Sequence, residues 1–240
     1  VAKLRKMTGA GMMDCKKALI EADGDYDKAQ DIIRERGKLV AAKRADRSAT
    51  EGVVVSKIVG QKGYMLCLAC ETDFVAKNSE FSATANEILD IAIAADAADL
   101  EALNAVAADG RTVADKVTEK SGQTGEKVEL VYYAKIEAPM CVTYIHTNHK
   151  LGTLIGFNKE IGMEVAKDVA MQAAAMAPIS ISREDCDPAV IEHERSIGRE
   201  QARLDGKPEA MLDKIAEGKV FLQLPHLANS ALPVFRIFHG

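Results

Sequence analysis

Hydrophobic positions change their spacing along the chain, and the first segment that they define is helical throughout. Residues 1–37 predict three short helices, because apolar positions recur at helical spacing and glycine-containing turns separate them. Asp25 is a suitable N-cap for the third helix, which we expect to cover residues 26–36 and to end at Gly37. The pattern therefore predicts a small three-helix domain.

The next segment, residues 38–51, has no sustained apolar face. It is basic and rich in alanine. Such a segment can be partly helical, but it offers too little apolar surface to become part of a core. We therefore predict a linker here.

Strand spacing replaces helical spacing after the linker, and one order of elements occurs twice. Each time, two β-branched or aliphatic runs flank a polar turn, and a helical pattern follows. The predicted elements are strands 53–59 and 64–70 with helix 79–95, and then strands 140–146 and 151–157 with helix 162–176. Repetition of one β-β-α unit predicts an α+β core of two related halves.

A looser helical region lies between the two units, over residues 99–121. Its pattern breaks near Gly110 and resumes at Thr112, and Asp115 follows three residues later. This spacing predicts a capping box at the start of the second helix.

Residues 179–219 carry few apolar residues, and those few form a narrow stripe. Asp187 and Pro188 are the predicted N-cap and first residue of a helix that reaches Leu204. A shorter helix is predicted over residues 208–217. The stripe indicates a protruding antiparallel helical hairpin, which can be an association surface or an arm exposed to solvent.

Charge and composition limit the classes of partner that we expect this protein to bind and the compartment in which we expect to find it. Thirty-six acidic against 31 basic residues give a formal net charge of −5, so we expect no direct binding to nucleic acid. No run of eighteen apolar residues occurs, and the amino end has no apolar signal-peptide core, so we expect neither a membrane span nor a signal peptide. Five cysteines, an odd number, favour a reducing compartment. We therefore expect a cytoplasmic protein.

Three patterns could carry chemistry, and each is incomplete. Residues 122–127 contain glycines but lack the spacing and the Lys-Ser/Thr pair of a phosphate-binding loop. Cys67 and Cys70 lie three residues apart on a predicted strand, so they point to opposite faces and are better explained as buried apolar residues than as metal ligands. A thiol hydrolase that uses Cys141 or Cys67 with His146 remains an alternative. These patterns predict no cofactor site and no metal site.

The most informative motif stands where a predicted buried strand ends. Thr72, Asp73, Phe74 and Val75 follow that strand, and a helical pattern begins at about Ser79. Loops between strands and helices lie on surfaces and often carry function, which favours a protein-binding wedge. The alternative is structural: Phe74 covers the core and Asp73 caps the helix.

Met12 and Met13 present a similar choice near the amino end. They follow a glycine-containing turn, where methionines can form an adaptable apolar patch for binding. They are equally compatible with two methionines in a core.

Two motifs together are specific. Residues 8–19 are Thr-Gly-Ala-Gly-Met-Met-Asp-Cys-Lys-Lys-Ala-Leu, and residues 72–77 are Thr-Asp-Phe-Val-Ala-Lys. Shorter matches follow in the same order at residues 125–127, 144–146, 206–208 and 217–218. In sequence, order and spacing, residues 1–219 resemble the elongation factor Ts family.

The resemblance implies an α+β fold with four parts. They are a small ubiquitin-associated-like three-helix domain (1–37), a linker (38–51), a core domain of two related halves (52–137, and 138–178 with 220–240) and an inserted helical hairpin (179–219). Some members of the family dimerise through this hairpin. A homodimer through residues 179–219 is therefore an expectation here.

The resemblance also implies a function, guanine-nucleotide exchange on elongation factor Tu in its GDP-bound and nucleotide-free forms. The segment that matches Thr72, Asp73, Phe74 and Val75 would insert near the magnesium and phosphate site of the partner, so that GDP leaves. Further contacts with the partner are implied for five matching residues, which are Met12, Met13, Lys16, Gly125 and His146. Such a factor makes and breaks no bond, and it needs no cofactor.

The chain departs from the family at two places. Thr124 stands where an apolar residue is expected before Gly125, and residues 220–233 have no family match. Only residues 234–240 resemble the last core strand. The alternative function is a non-catalytic, translation-associated protein-binding module that uses the three-helix domain.

Overall fold

The structure is a computed structural model that describes residues 1–178, 180, 185–223 and 234–239, and its fold is α+β, as predicted. The described helices are α1 (Ala2–Thr8), α2 (Met12–Glu21), α3 (Tyr26–Lys43), α4 (Asp73–Ala76), α5 (Ser79–Ala95), α6 (Leu100–Ala105), α7 (Val113–Thr124), α8 (Met163–Met176), α9 (Pro188–Leu204) and α10 (Glu209–Gln223). The described strands are β1 (Glu51–Val59), β2 (Lys62–Cys70), β3 (Ala107–Ala108), β4 (Arg111–Thr112), β5 (Glu129–Glu137), β6 (Met140–Ile145), β7 (Leu151–Phe157) and β8 (Val234–His239).

These elements form two compact units. The first contains Val1–Lys135 and Ile145–Gly152, together with residues 238–239. The second contains Ile136–Tyr144 and the described residues between Thr153 and Ile237. In the part of the chain that the structure describes, no helix has both the length and the apolar content needed to cross a membrane.

Helices α1 to α3 surround a small core of their own, built mainly from alanine and one leucine. Its buried residues are Leu4, Ala10, Cys15, Ala18, Ala22 and Ala29. Asp25 caps α3 as predicted: its side chain accepts hydrogen bonds from the backbone N–H groups of Asp27 at 3.0 Å and Lys28 at 3.1 Å. The cap fixes where the third helix begins.

The predicted end of this helix at Gly37 is wrong, since α3 continues to Lys43. Gly37 does not adopt the left-handed conformation that ends a helix at glycine. It lies instead at a close crossing with α7, where a Cβ added to Gly122 would be 2.4 Å from the Gly37 Cα atom. Both positions need small residues because two helix backbones meet there. The first six residues of the predicted linker, 38–43, are therefore helical.

The first sheet has the strand order β1-β2-β5. Strands β1 and β2 form the predicted hairpin in antiparallel register, with Glu51 opposite Cys70 at the open end and Val59 opposite Lys62 at the turn. Helix α5 has the predicted bounds, and Phe81, Ile88 and Leu89 are buried in the same core as the strand side chains. Strand β5 was not predicted.

The region between the two hairpins holds a short interruption. The predicted break near Gly110 is confirmed, and the structure adds two short strands there, since β3 and β4 pair between α6 and α7. The predicted capping box is present, because the Asp115 N–H donates to Thr112 Oγ1 at 3.1 Å and the Thr112 N–H donates to Asp115 Oδ2 at 3.1 Å. The cap therefore marks the start of α7 correctly.

The second sheet has the order β6-β7-β8 and contains the second predicted hairpin. Helix α8 supplies Ala166, Ala170 and Ala173 to a core with three sheet residues, Val142, Ile155 and Phe157. Buried Thr153 is satisfied by donating to the Ala170 carbonyl oxygen at 2.8 Å. Small residues on the helix let it lie close to the strands.

Helices α9 and α10 form the predicted hairpin. Asp187 caps α9 by accepting from the Ala189 N–H at 2.8 Å, and Pro188 is in its first turn. A Cβ added to Gly198 would be 3.1 Å from the Ala216 Cα atom, so the two helices pack closely there. The predicted end of the second helix at residue 217 is wrong: α10 reaches Gln223, and Gly218 is not left-handed.

Candidate functional site

The Thr-Asp-Phe-Val motif forms a separate one-turn helix, α4, between β2 and α5. Thr72 is its N-cap, and the Val75 N–H donates to Thr72 Oγ1 at 3.4 Å. The structural interpretation of Asp73 as the cap is therefore wrong, because Asp73 is the first residue of the helix. The sequence indicated a helix from about Ser79, and this turn begins six residues earlier, at Asp73.

Phe74 points into solvent, with 84% of its surface exposed. Val75 and Ala76, the next two residues, pack against the core of the first sheet. The interpretation that Phe74 covers the core is therefore wrong. The short helix is anchored by its aliphatic side and leaves its aromatic side chain free for contact.

Asp73 stands beside Phe74 as a stabilised carboxylate. Lys77 donates a hydrogen bond to Asp73 Oδ2 at 2.6 Å, which lowers the pKa of Asp73, and the charge of Lys150 lowers it further. The same contact raises the pKa of Lys77. Asp73 is therefore ionised at neutral pH, and the exposed surface of α4 presents an aromatic ring next to a negative charge.

Glu126, which follows α7, supports the base of the motif. Its Oε2 atom accepts hydrogen bonds from the backbone N–H groups of Glu71 at 3.1 Å and Thr72 at 3.0 Å. Its Oε1 atom accepts the Thr72 hydroxyl at 2.6 Å. Gly125 makes this approach possible, since it ends α7 in the left-handed conformation with φ of 71°.

Glu71 holds the same junction from the other side. Its Oε1 atom accepts the Lys127 N–H at 2.6 Å and an Arg44 Nη1 bond at 2.8 Å, and its Oε2 atom accepts from Arg47 at 3.2 Å. The Lys127 N–H, and then Arg44, hold the pKa of Glu71 below its ordinary value. The motif is thus tied both to the segment after α7 and to the residues that follow α3.

The turn between β6 and β7 lies beside the open end of the first hairpin. The Val54 N–H donates to the His149 carbonyl oxygen at 2.7 Å, and Lys150 forms an ion pair with Glu51. Lys150 also acts on Asp73 through its charge. The exposed His146 begins this turn, so the structure brings the turn that contains His146 towards the motif.

Met12 and Met13 are on the surface of α2, with 54% and 61% of their area exposed. The interpretation as two core methionines is therefore wrong. Lys16 is exposed on the same helix, whereas Cys15 and Ala18 are buried. These three exposed residues share one helix but belong to a different element from the motif.

The cysteines of the first hairpin are poor nucleophiles. Cys67 and Cys70 are fully buried, and burial raises the pKa of each thiol to about 12. A reactive cysteine needs a lowered pKa and access to solvent, so Cys67 does not fit a thiol hydrolase. Within the described ranges, no group of three His, Cys, Asp or Glu side chains is arranged to hold a metal ion.

Sequence reasoning missed Glu71, Glu126 and Arg44. Glu126 was noted only as part of a match to the family, and Arg44 fell in the predicted linker. Their contacts join positions 24 to 56 residues apart, and neither hydrophobic spacing nor a local motif reports such pairings. The basic character of residues 43–47 was the one available signal of an acidic neighbour.

The fold and this surface define a class of protein: an α+β protein that presents an exposed aromatic side chain on a one-turn helix between a sheet and a long helix. Comparison with known proteins identifies the class further. A family model described as Elongation factor TS matches residues 71–227, so the expectation that the family resemblance ends at residue 219 is wrong for residues 220–227.

Relatives of the same name match over most of the chain. Elongation factor Ts of Porphyromonas gingivalis is 45% identical over 248 residues, which cover 100% of this chain and 90% of the relative. Elongation factor Ts of Christiangramia forsetii is 47% identical over 224 residues, 92% of this chain and 81% of the relative. The chain belongs to the elongation factor Ts family, and so to the elongation factors of protein biosynthesis.

Proposed function

We propose that this protein is a guanine-nucleotide exchange factor that binds elongation factor Tu with GDP and promotes GDP release, so that GTP can bind. Membership of the elongation factor Ts family supports this class of function. The observation that carries the proposal is Phe74, which is 84% exposed on a turn whose base is held by hydrogen bonds. A large aromatic side chain in this state is suited to filling a pocket on another protein.

Phe74 acts as the wedge in this proposal. Transfer of its side chain from water into a pocket of the partner contributes roughly 1.5–3 kcal/mol. A contribution of this size is typical of a residue that dominates an interface. Val75 and Ala76 remain packed against the core of this protein, so the wedge enters the partner without disturbing its own support.

Asp73 supplies the negative charge at the tip. Placed near the magnesium and phosphate site of the partner, it weakens the coordination that holds GDP, because magnesium neutralises phosphate charge there. By linkage, an exchange factor that lowers nucleotide affinity binds the nucleotide-free partner more tightly by the same factor. No covalent bond changes, so the protein acts as a regulator and not as an enzyme, and it uses no cofactor.

Further contacts with the partner come from two other surfaces. Met12, Met13 and Lys16 form an exposed patch on α2 that is suited to an apolar, acidic surface. His146 extends the contact from the β6–β7 turn, and Gly125 contributes beside the motif. No contact with nucleic acid or membrane belongs to this proposal.

The domain organisation that we propose follows these surfaces. It comprises a ubiquitin-associated-like domain that ends with α3 at Lys43, a linker over residues 44–50, two related core halves (51–137, and 138–178 with the chain after α10) and a dimerising hairpin that runs from residue 179 to the end of α10 at Gln223. The three-helix core under α1 to α3 supports the first part. The repeated hairpin followed by a helix supports the two halves.

The test is release of a fluorescent GDP analogue from elongation factor Tu, followed with and without this protein. We expect strong acceleration at catalytic amounts of the protein. Binding without acceleration would contradict the exchange function and favour the alternative, a translation-associated module that binds through the exposed methionines of α2. Absence of binding to elongation factor Tu would contradict the exchange function.

A further inference from the structure

The turn that carries Phe74 is too short to hold its own shape. Helix α4 has four residues, and a single helical turn is unfavourable in water because it fixes several backbone dihedrals for one hydrogen bond. Val75 and Ala76 pack against the core, but packing alone does not set the direction of the first turn. The groups that cap the turn must supply the rest.

A relay of hydrogen bonds supplies that direction. The Thr72 hydroxyl has one hydrogen, which it donates to Glu126 Oε1 at 2.6 Å. Its lone pairs then face the Val75 N–H, which donates to Thr72 Oγ1 at 3.4 Å. A bond to a carboxylate is stronger than one between neutral groups, so Glu126 decides how Thr72 caps the helix.

Further hydrogen bonds join the same two chain segments, the one before α4 and the one after α7, in both directions. Glu126 Oε2 accepts the N–H groups of Glu71 and Thr72, and Glu71 Oε1 accepts the N–H of Lys127. Arg44 and Arg47 balance the charge of Glu71. Each segment therefore fixes the backbone of the other just before α4 begins.

We propose that Glu126 is a positioning residue for Phe74, with Glu71 as its counterpart. The inference rests on the proposed exchange function and adds how the wedge is kept ready. Glu126 keeps the turn formed in the free protein, so the partner does not have to order it on binding. If the turn is formed in only a fraction of molecules, the apparent affinity for the partner falls by that fraction.

The first measurement uses the free protein. Backbone order parameters from ¹⁵N relaxation should be near about 0.85 for residues 72–76 in the wild type and fall towards roughly 0.6 in Glu126→Ala. Residues 79–95 of α5 should be unchanged and report that the fold is intact. Equal order parameters for residues 72–76 in both proteins would overturn the inference.

The second measurement uses GDP release from elongation factor Tu over a range of protein concentrations. Glu126→Ala should raise the half-saturating concentration by roughly three- to thirtyfold, the effect of losing a helix cap. Its maximal rate should stay within about twofold of the wild type, since a bound and ordered turn works normally. An unchanged half-saturating concentration would overturn the inference.

A double variant separates positioning from any independent role of Glu126. If Glu126 acts through the turn that carries Phe74, adding Glu126→Ala to Phe74→Ala should lower the release efficiency by clearly less than Glu126→Ala does in the wild type, and the remaining loss would reflect Asp73 on the same turn. Independent effects that add would overturn the inference. Glu101→Ala, an exposed acidic residue of α6, is the matched control and should behave as the wild type.

Glu126→Gln keeps the test decisive if the alanine variant does not fold. Its amide oxygen can accept the backbone N–H groups, but it offers one acceptor instead of two, so the half-saturating concentration should lie between those of wild type and Glu126→Ala. A value equal to the wild type would overturn the inference. If the wild type itself does not accelerate release, the proposed function fails, and the order parameters alone decide whether Glu126 holds the turn.

Discussion

Individual carboxylates in this protein are stabilised by specific cations and N–H groups. Asp73 is paired with Lys77, Glu71 with Arg44, and Asp96 with Lys62 at 2.9 Å. In each case the contact lowers the pKa of the acid. The stability of the protein therefore depends on the ionisation of these three carboxylates. Asp96 is the one that lies outside the Thr-Asp-Phe-Val site.

Asp96→Asn tests this link. Hydrogen bonds from Lys62, Tyr64 and Lys135 lower the pKa of Asp96 from 3.8 to about 2, so its contribution to stability is full above about pH 4 to 5 and disappears as pH falls towards 2. We expect Asp96→Asn to unfold more easily than the wild type at pH 7, and the difference to shrink below about pH 4. Urea unfolding at a series of pH values measures it.

The matched control for this prediction is Asp23→Asn. Asp23 and Asp96 both have left-handed backbone, with φ of 52° and 46°, a conformation that asparagine tolerates. The control measures what the exchange of Asp for Asn does at such a backbone position, and the loss of stability in Asp96→Asn at pH 7 should exceed it. If the difference in stability between Asp96→Asn and the wild type stayed the same down to pH 2.5, the assignment of this stabilisation to the Asp96 carboxylate would be contradicted.

For single residues, the sequence predicts hydrogen bonds between near neighbours in the chain and misses those between distant positions. The caps Asp25, Thr112 and Asp187 were all predicted, because a capping side chain and the backbone N–H groups that donate to it lie within three residues. The exposure of Phe74 was left open between two interpretations, since a motif alone does not reveal what its neighbours cover. Glu126 bonds Thr72 across 54 residues, and only the fold brings them together.

Helices α3 and α7 cross closely, and their backbones meet at Gly37 and Gly122. The Gln123 side chain also donates to the Thr8 carbonyl oxygen at 2.6 Å, at the end of α1. These contacts hold the three amino-terminal helices against α7. They also leave a cavity of about 550 Å³ beside the crossing, lined in part by Ile33, Val40 and Lys120.

Two alanine substitutions at this crossing should have different effects on the free energy of unfolding. In Gly122→Ala the new Cβ would lie 2.4 Å from the Gly37 Cα atom, so the helices must separate, and we expect a loss of about 1–3 kcal/mol in the free energy of unfolding. In Gly37→Ala the new Cβ would lie 3.5 Å from the Gly122 Cα atom, an ordinary contact. Chemical denaturation of the two variants measures the difference.

Gly37→Ala serves as the control because it changes the same helix crossing. It should be neutral or more stable by up to about 1 kcal/mol, since alanine favours a helix interior over glycine. Equal losses in the two variants, or a neutral Gly122→Ala, would contradict the close crossing.

The predicted elements were reliable where periodicity was sustained and unreliable at glycines. Helix α5 has its predicted bounds, because its apolar positions recur over several turns. Gly37 and residue 217 were predicted as helix ends, yet both helices continue. Glycine at the end of a helix usually takes a left-handed conformation, which neither Gly37 nor Gly218 adopts. At Gly37 the backbone of α7 lies close, whereas Gly218 has no neighbour within 4 Å.

At the scale of the whole molecule, the arm formed by α9 and α10 is the proposed dimer contact. Ile197 and Leu204 are 43% and 79% exposed along α9. Replacing both with Asp should abolish a homodimer, because two carboxylates would be buried in an apolar seam, and should leave GDP release unchanged. Sedimentation at low micromolar concentration measures the mass.

Met163→Asp is the control for this substitution. Met163 is similarly exposed, at 52%, but on α8, so the dimer should persist. A wild-type protein that is monomeric at these concentrations, or a dimer that survives both Asp substitutions in the arm, would contradict the proposed role of residues 179–219. The α+β class and the family were predictable from the sequence, whereas this assembly rests on a narrow apolar stripe and on the dimers that some members of the family form.

The most direct test of the account is GDP release from elongation factor Tu by Phe74→Ala, compared with wild type and with Val59→Ala. Val59 is also an exposed apolar residue, at 52%, at the turn end of the same hairpin. Phe74→Ala should fold as the wild type does, since the ring is exposed, and slow release by roughly ten- to a hundredfold. Val59→Ala should release GDP at the wild-type rate. An unchanged rate in a folded Phe74→Ala would contradict the central claim that this side chain is the wedge.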